Sequence, residues 1–525
     1  MAPRPMRPLR ARARFTSLVR RPAGRRGVPI LIALLVAFSA ILSSAHTGFL
    51  RPDGGRALAA CPSFQALVNA APTGGTIVVP PCTYHETVTI SKRLTVNATG
   101  AVIDGDNVRG KGLEIKANDV TVNGLTVQRI KNGAHEGAVH ATSISRFTFR
   151  DGVVRDSATV CIVLGGGSGF RILSSRFTNC GQEGYFLNNV TDSLFRGNKI
   201  DHNNMKLAFT DAEQGGGKTM ASARITFDRN EVSYNRGPGI WFDNSVVDVA
   251  ATNNRVHHND EDGIFFEISN GARIAGNSVW ANGFANPRWA YGAGITISSS
   301  DNAEVDHNTV AWNARGISVI SQGRGPQPHN GIAVYANTVI SQTADKVAGW
   351  YDDHGGTLYA AGNGNSGWSG RYWIGVSEPS SYRFEWAGDR STVASYNSTP
   401  GEQDAVNLTA AKRDAALLAA GIPVGTMPTV VPPAPASAPK IALRGSVGAT
   451  APVRISWAPV GGSIGYRLQY QRSGGSWKTV TLPSPTQTSV DMALDAGHSY
   501  IFRLRMKLPA SIWSNWAYSS VVKFT

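Results

Sequence analysis

The segments GIWFD (Gly239–Asp243) and GIFFE (Gly263–Glu267) repeat the pattern Gly-Ile-aromatic-Phe-acid 24 residues apart. A recurrence of that kind places Asp243 beside Glu267 if the chain winds back on itself once per repeat. Two carboxyls about 5 Å apart suit retaining glycoside cleavage, one as acid and one as nucleophile. The same pair could instead hold a hard cation such as Ca²⁺ through oxygen ligands, or only hydrogen-bond neighbouring turns. Lys218 is the cation nearest to them in the pattern, and Trp241 and Phe265 bring flat apolar faces of the kind sugar rings stack on.

Aligning Gly216, Gly239, Gly263, Gly294 and Gly316 puts Lys218, Trp241, Phe265, Thr296 and Ser318 in one column. Met220, Asp243, Glu267, Ser298 and Ile320 fall in the next. Residues at even offsets point to one side of a strand and those at odd offsets to the other. Both columns are therefore expected on the outer face, with Lys218 diagonal to Asp243. Like charges stacked directly opposite are unfavourable unless something compensates them.

Three loop segments extend the site. AFTDAEQGGG carries Asp211 and Glu213, GFANPRWAYG carries Arg288, Trp289 and Tyr291, and SQGRGPQPHNG carries Gln322 and Arg324. Loops on a rigid scaffold carry function disproportionately. We expect them to wall a groove with Asp243, Glu267 and Lys218 as catalytic residues. Trp241, Phe265, Trp289, Tyr291, Gln322 and Arg324 would contact substrate, and Asp211 and Glu213 are the acids for a Ca²⁺ ion if one is used. No cofactor is otherwise required. His257 and His258 read as a solvated turn, and His140 with Thr142 as an upstream extension of the groove. The acids and histidine of YDDHGG (351–356) lie beyond the clear repeat.

The elements that must position these residues are short. Each repeat, about 22–24 residues long between loops, holds a Gly-apolar-x-apolar strand, an alternating strand such as ARITFDRN or AEVDHN, and an Asn-x-Val strand (Asn230/Val232, Asn254/Val256, Asn277/Val279, Asn308/Val310, Asn337/Val339). Period-two alternation in segments too short for helices predicts three strands per turn of a solenoid. Neighbouring coils then pair about 4.8 Å apart. The repeated Asn suits a turn that tolerates left-handed backbone and stacks side-chain amides between coils.

Of the formal charge of +15, about +10 lies in residues 1–60, which hold eleven Arg and one Asp. The mildly basic remainder argues against a nucleic-acid partner. That first segment joins an Arg-rich stretch to the apolar run VPILIALLVAFSAIL, which is too short for a typical spanning helix. It reads as an export signal, the alternative being an uncleaved anchor, with no other membrane segment. The cysteines Cys61, Cys82, Cys161 and Cys180 then suggest disulfides, Cys61 with Cys82 and Cys161 with Cys180.

The coil pattern, with the entry segment SFQALVNAAPTGGTIVVPPCTYHETVTI, resembles the right-handed parallel β-helix of pectin-lyase-like proteins over 61–345. A capping region is expected over 346–425, ending in a helix at TAAKRDAALLAAG, and a Pro/Ala-rich linker over 426–439. Residues 440–525, with VRISWAP, YRLQYQRS and YIFRLRMK, resemble a fibronectin type III sandwich. The resemblance implies a secreted protein acting on a polysaccharide or cell-wall glycan. Polygalacturonase signatures and a clear pectate-lyase calcium motif are missing, so fold analogy does not choose the reaction. Hydrolysis by the Asp243/Glu267 pair is the first expectation. Uronate elimination with a Lys base and Ca²⁺, or glycan binding without turnover, are the alternatives.

Overall fold

The computed structural model describes residues 61–524 except 207, 210–212, 286–288, 343–345, 376–382, 425–438, 461–462, 464, 474, 508–513 and 515–516. The expected export segment and nearly all of the expected linker lie outside the described residues. So does Asp211. Among those described, no helix is long and apolar enough to cross a membrane.

The chain winds as a right-handed parallel β-helix followed by a small antiparallel β-sandwich. One coil of the helix comprises Ile240–Asp243, Val247–Thr252 and Arg255–His257, and the next comprises Ile264–Glu267, Asn270–Ala275 and Ser278–Trp280. Each strand pairs in parallel with its counterpart one coil away, as in Trp241 with Phe265 and Val256 with Val279. Ile240, Phe242, Ala251 and Val256 turn inward and are fully or almost fully buried, so the alternation seen in the sequence is the inside and outside of the tube. The recurrent glycine is imposed by close approach between coils. A Cβ on Gly239 would lie 2.5 Å from the carbonyl oxygen of Gly263, and one on Gly263 2.6 Å from that of Gly294.

Two buried asparagine ladders tie the corners together. Asn230, Asn254, Asn277 and Asn308 each donate backbone N–H and side-chain Nδ2 to Oδ1 of the asparagine in the next coil, at 2.8–3.0 Å. Nδ2 also donates to a strand carbonyl, as Asn254 does to Phe227 at 2.9 Å. A second ladder runs through Asn203, Asn235, Asn259, Asn282 and Asn313. The left-handed residue at each corner is the one before the ladder asparagine, such as Arg229, Asn253, His258 and His307. The expectation that the laddered Asn itself is left-handed is thus corrected: its conformation is set by the need to satisfy buried backbone donors.

The helix Phe64–Ala70, N-capped by Ser63, closes the first coil, with Glu86 accepting from the Phe64 N–H at 2.6 Å. Disulfides join Cys61 to Cys82 and Cys161 to Cys180. The ladders continue past residue 345, where the sequence repeat fades: Ser318 pairs with Gly349, Thr338 with Arg371, and Arg371 with Val406. YDDHGG therefore begins on a regular strand, Ala348–Asp352. The helix Ala410–Ala419 covers an apolar patch of Trp280, Trp312 and Ile340 with Leu417.

In the C-terminal sandwich, one sheet comprises Lys440–Leu443, Thr450–Ser456 and Ser489–Asp495. The other is built on Lys478–Val480, Gly465–Arg472 and Ser499–Lys507, with Ala517–Tyr518 and Val522–Lys523 at its edge. Trp457, Tyr466, Leu468, Tyr500 and Phe502 fill its core. The Tyr500 hydroxyl donates to the Asp495 carbonyl at 3.2 Å.

Candidate functional site

The register places Lys218 against Trp241, Trp241 against Phe265 and Phe265 against Thr296. In the second column Met220 meets Asp243, Asp243 meets Glu267 and Glu267 meets Ser298. Asp243 and Glu267 thus sit on adjacent coils of one outer face, with backbones about 4.8 Å apart. The ring planes of Trp241 and Phe265 lie 13° apart with centroids at 5.6 Å.

The column was expected to be solvent-facing. Instead Trp241 is 7% exposed, Phe265 6%, Asp243 9% and Glu267 5%. The loop returning through Tyr291 packs its ring edge-on to Phe265 at 5.8 Å, and Arg324 reaches in from the far side. The neck of that returning loop is tight, since a Cβ on Gly283, whose φ is +90°, would lie 1.9 Å from the Gly292 carbonyl oxygen. Asp262 pins the return by accepting from the N–H groups of Gly292 and Ala293 at 3.0 and 2.9 Å and from the Thr296 hydroxyl.

Each carboxylate has its own cation. Lys218 Nζ lies 2.8 Å from Asp243 Oδ2 and 4.1 Å from the centre of the Trp241 ring. Arg324 pairs with Glu267 Oε1 and donates to the Tyr291 and Ser298 hydroxyls at 2.8 and 2.9 Å. Trp241 Nε1 donates to Glu267 Oε2 at 3.2 Å, and the Tyr291 hydroxyl donates to Gln322 Oε1 at 2.6 Å. Asp243 Oδ1 is buried without a hydrogen-bond partner among the described residues.

Burial, then the neighbouring charge of Asp243, pushes the Glu267 carboxyl up to about 7, although Arg324 and Trp241 favour its ionised form. Burial opposes the charge on Arg324, but Glu267 outweighs it and holds the guanidinium above its usual range. Burial pushes the Tyr291 hydroxyl up to about 12. The arrangement therefore holds one carboxyl that can exchange a proton near neutrality beside a second tied to an ammonium group, against a stacked aromatic pair.

The remaining expected residues divide. Gln322, Tyr291 and Arg324 join the pair. Trp289 stands apart, 38% exposed and edge-on to Tyr351 at 6.2 Å. The Glu213 carboxylate lies 2.8 Å from His135 Nε2. Among the described residues no group of three or more His, Cys, Asp or Glu is arranged to hold a metal ion. The donor set fits Ca²⁺ poorly, because Lys218 and Arg324 already bring to the two carboxylates the positive charge a cation would supply. His140 and Thr142 stand in the same two columns, three coils upstream of Lys218 and Met220. His257 is not a solvated turn residue: it is 7% exposed, stacked on Trp280 with centroids 4.0 Å apart, and burial followed by the charge of His258 pushes it down to about 3.

Two further acids belong to this face. Glu183 is completely buried, and burial followed by the charge of Glu213 drives its carboxyl well above the usual range, while Lys218 opposes the shift. Asp262 directly precedes the aligned Gly263, and Glu183 directly precedes Gly184, which the register sets against Gly216, so extending the alignment one coil upstream and reading the column before the glycine would have found them. A separate cavity of about 620 Å³ is lined by Asn107, Lys131, Asp156, Asn179, Met205 and Lys206 and contains none of the expected site residues.

A family model described as "Right handed beta helix region" matches residues 135–310. No curated protein matches the chain. Among solved structures, the chain is similar to the A-module of mannuronan C-5 epimerase AlgE4 from Azotobacter vinelandii, at 14% identity and a TM-score of 0.40, over 63% of this chain and 94% of that one. It is similar also to PfbA, a surface adhesin of Streptococcus pneumoniae, at 10% identity and a TM-score of 0.30, over 59% and 82% of the two chains. For pectate lyase Pel9A the values are 14% and 0.26, over 63% and 73%.

Proposed function

We propose that this chain is a secreted enzyme that cleaves a polysaccharide by glycoside hydrolysis, with Glu267 as proton donor and acceptor and Asp243 as the second carboxylate. The carrying observation is the asymmetry of the stacked pair. Efficient acid–base catalysis needs a group that titrates near the working pH, which the Glu267 carboxyl does at about 7. Asp243 sits one coil away and is held by Lys218. The two residues stand on neighbouring strands whose backbones are about 4.8 Å apart, and a carboxyl separation close to that spacing suits the retaining, double-displacement route. Arg324, whose side chain is 39% exposed, marks the side from which a sugar reaches Glu267. Trp241 and Phe265 form the apolar backing, Gln322 and Tyr291 the polar edge, and Trp289 a more distant contact.

Elimination of a uronate is less well supported, because its candidate bases, Lys218 and Arg324, are both committed to carboxylates. Export follows from the Arg-rich and apolar N-terminal segment, and the two disulfides agree with an oxidising compartment. The order of strands in the C-terminal sandwich and its Tyr500 hydrogen bond support a fibronectin type III-like module.

The test is incubation with neutral and uronate polysaccharides, with and without Ca²⁺, reading new reducing ends and the ultraviolet absorbance of unsaturated uronate together. Reducing ends without absorbance, abolished in Glu267→Gln and Asp243→Asn, are expected. Turnover unchanged in both variants would sink the assignment. One observation favours binding without turnover, namely that each carboxylate already has a cation. In that case no substrate yields product, and Glu267→Gln retains glycan affinity.

A further inference from the structure

The motif YDDHGG (351–356) has no part in the Asp243/Glu267 pair, yet the register brings it to the edge of that site. Ser321 pairs with Asp352 on the neighbouring coil, so the two segments leave their strands side by side. Gln322 then lies beside Asp353, its Nε2 donating to Oδ2 at 3.4 Å, and Gly323 lies beside His354. A chain of polar contacts therefore runs from Glu267 through Arg324, the Tyr291 hydroxyl and Gln322 to Asp353.

The turn that carries Asp353 and His354 is held in place before any ligand arrives. Asp352 accepts from the N–H groups of His354, Gly356 and Leu358 at 2.8, 3.2 and 2.8 Å, and from the Thr357 hydroxyl at 3.3 Å. Gly355 and Gly356 supply the left-handed backbone, with φ of +80° and +78°, that the tight return needs. A Cβ on Gly323 would lie 2.4 Å from each of Cγ, Cδ2 and Cε1 of His354. A point equidistant from those three atoms lies on the axis through the ring, so the imidazole is seated face-on against Gly323. His354 is nonetheless exposed, and so is Asp353. Among the described residues the Asp353 carboxylate forms no ion pair and meets only Gln322. Asp243 and Glu267 differ from it in both respects, being buried and each paired with a cation.

We propose that Asp353 and His354 form a sugar subsite at the mouth of the Asp243/Glu267 groove and restrict the substrate to neutral polysaccharides. This rests on reading that pair as a glycan-cleaving site. An ionised carboxylate is an acceptor with two oxygens, and hydroxyls on neighbouring sugar carbons can donate to both at once. The same charge repels the carboxylate of a uronate. The imidazole adds a flat apolar body with a polar tip, which matches the apolar face and polar rim of a sugar ring. Because the turn is already fixed, little freedom is lost when the sugar docks.

The experiment uses the whole chain carrying Glu267→Gln, so that bound glycan is not consumed. Calorimetry measures its affinity for xylohexaose, cellohexaose, mannohexaose and hexagalacturonate, alone and with Asp353→Asn or His354→Ala added. Reducing ends are followed in the same set with Glu267 intact. At least one neutral chain is expected to bind, and hexagalacturonate about tenfold more weakly or worse. Asp353→Asn should lower the neutral affinity about tenfold and narrow the gap to the uronate, and His354→Ala should lower it severalfold. Hexagalacturonate bound as tightly as every neutral chain overturns the proposal, as does neutral affinity untouched by Asp353→Asn, or no neutral chain bound at all. Neutral binding that depends on Asp353, with no reducing ends from wild type, refutes hydrolysis and leaves the subsite standing. Reducing ends from a neutral chain, with affinity and turnover both indifferent to Asp353→Asn, do the reverse.

Discussion

The Glu267 carboxyl carries a stability signature that needs no knowledge of substrate. It titrates at about 7 in the folded protein, against an ordinary 4.5. Over the window between those values the folded state keeps a proton that the unfolded chain has released. Stability therefore falls as pH rises from about 4.5 to about 7, the reverse of a salt-bridged carboxylate with a depressed pKa. The gap of about 2.5 units, at 1.36 kcal/mol each, amounts to about 3 kcal/mol. Glu267→Gln reproduces the protonated state at every pH and also leaves Arg324 without its carboxylate, as protonation does. The variant should match wild type near pH 4 and exceed it by about 3 kcal/mol near pH 8. Urea unfolding of both proteins at intervals across that range measures the difference directly. A difference that stays constant with pH would refute the reasoning, because the carboxyl would then be titrating as it does in water.

Two further outcomes follow from the same contacts. Asn254→Ala strands the Asn230 donors and the Phe227 carbonyl in the core and should cost about 3 kcal/mol or more, whereas Asn270→Ala, on an exposed Asn pair, should cost less than about 1 kcal/mol in the same unfolding assay. Lys218→Met should destabilise by about 3 kcal/mol by leaving Asp243 buried beside no ammonium, and adding Asp243→Asn should recover at least half of that loss, a coupling read from a double-mutant cycle.

Much of the site was legible in the repeat. Once Gly239 and Gly263 are aligned, a period of two and one coil per repeat place Asp243 over Glu267, Trp241 over Phe265, and Lys218 diagonal to Asp243. The ladder asparagines were visible for the same reason, since every coil must satisfy the same buried donors. Glu183 and Asp262 escaped because the reading stopped at the glycine. The coils after residue 345 escaped because Gly349 and Trp350 keep the ladder with a different side-chain pattern.

Other features belong to the tertiary structure alone. The loop insertions put Tyr291 and Arg324 at the walls of the groove, but no spacing predicts that they fold over the column and bury it, since the chain reaches it through irregular loops whose paths have no period. Their arrival buries an outer face that alternation marks as exposed, and burial lifts Glu267 to about 7. Composition and periodicity determine which residues share a face, because strand geometry is local and repeats. What surrounds a carboxyl, and hence where it titrates, depends on segments far away in the chain and is decided only when they pack.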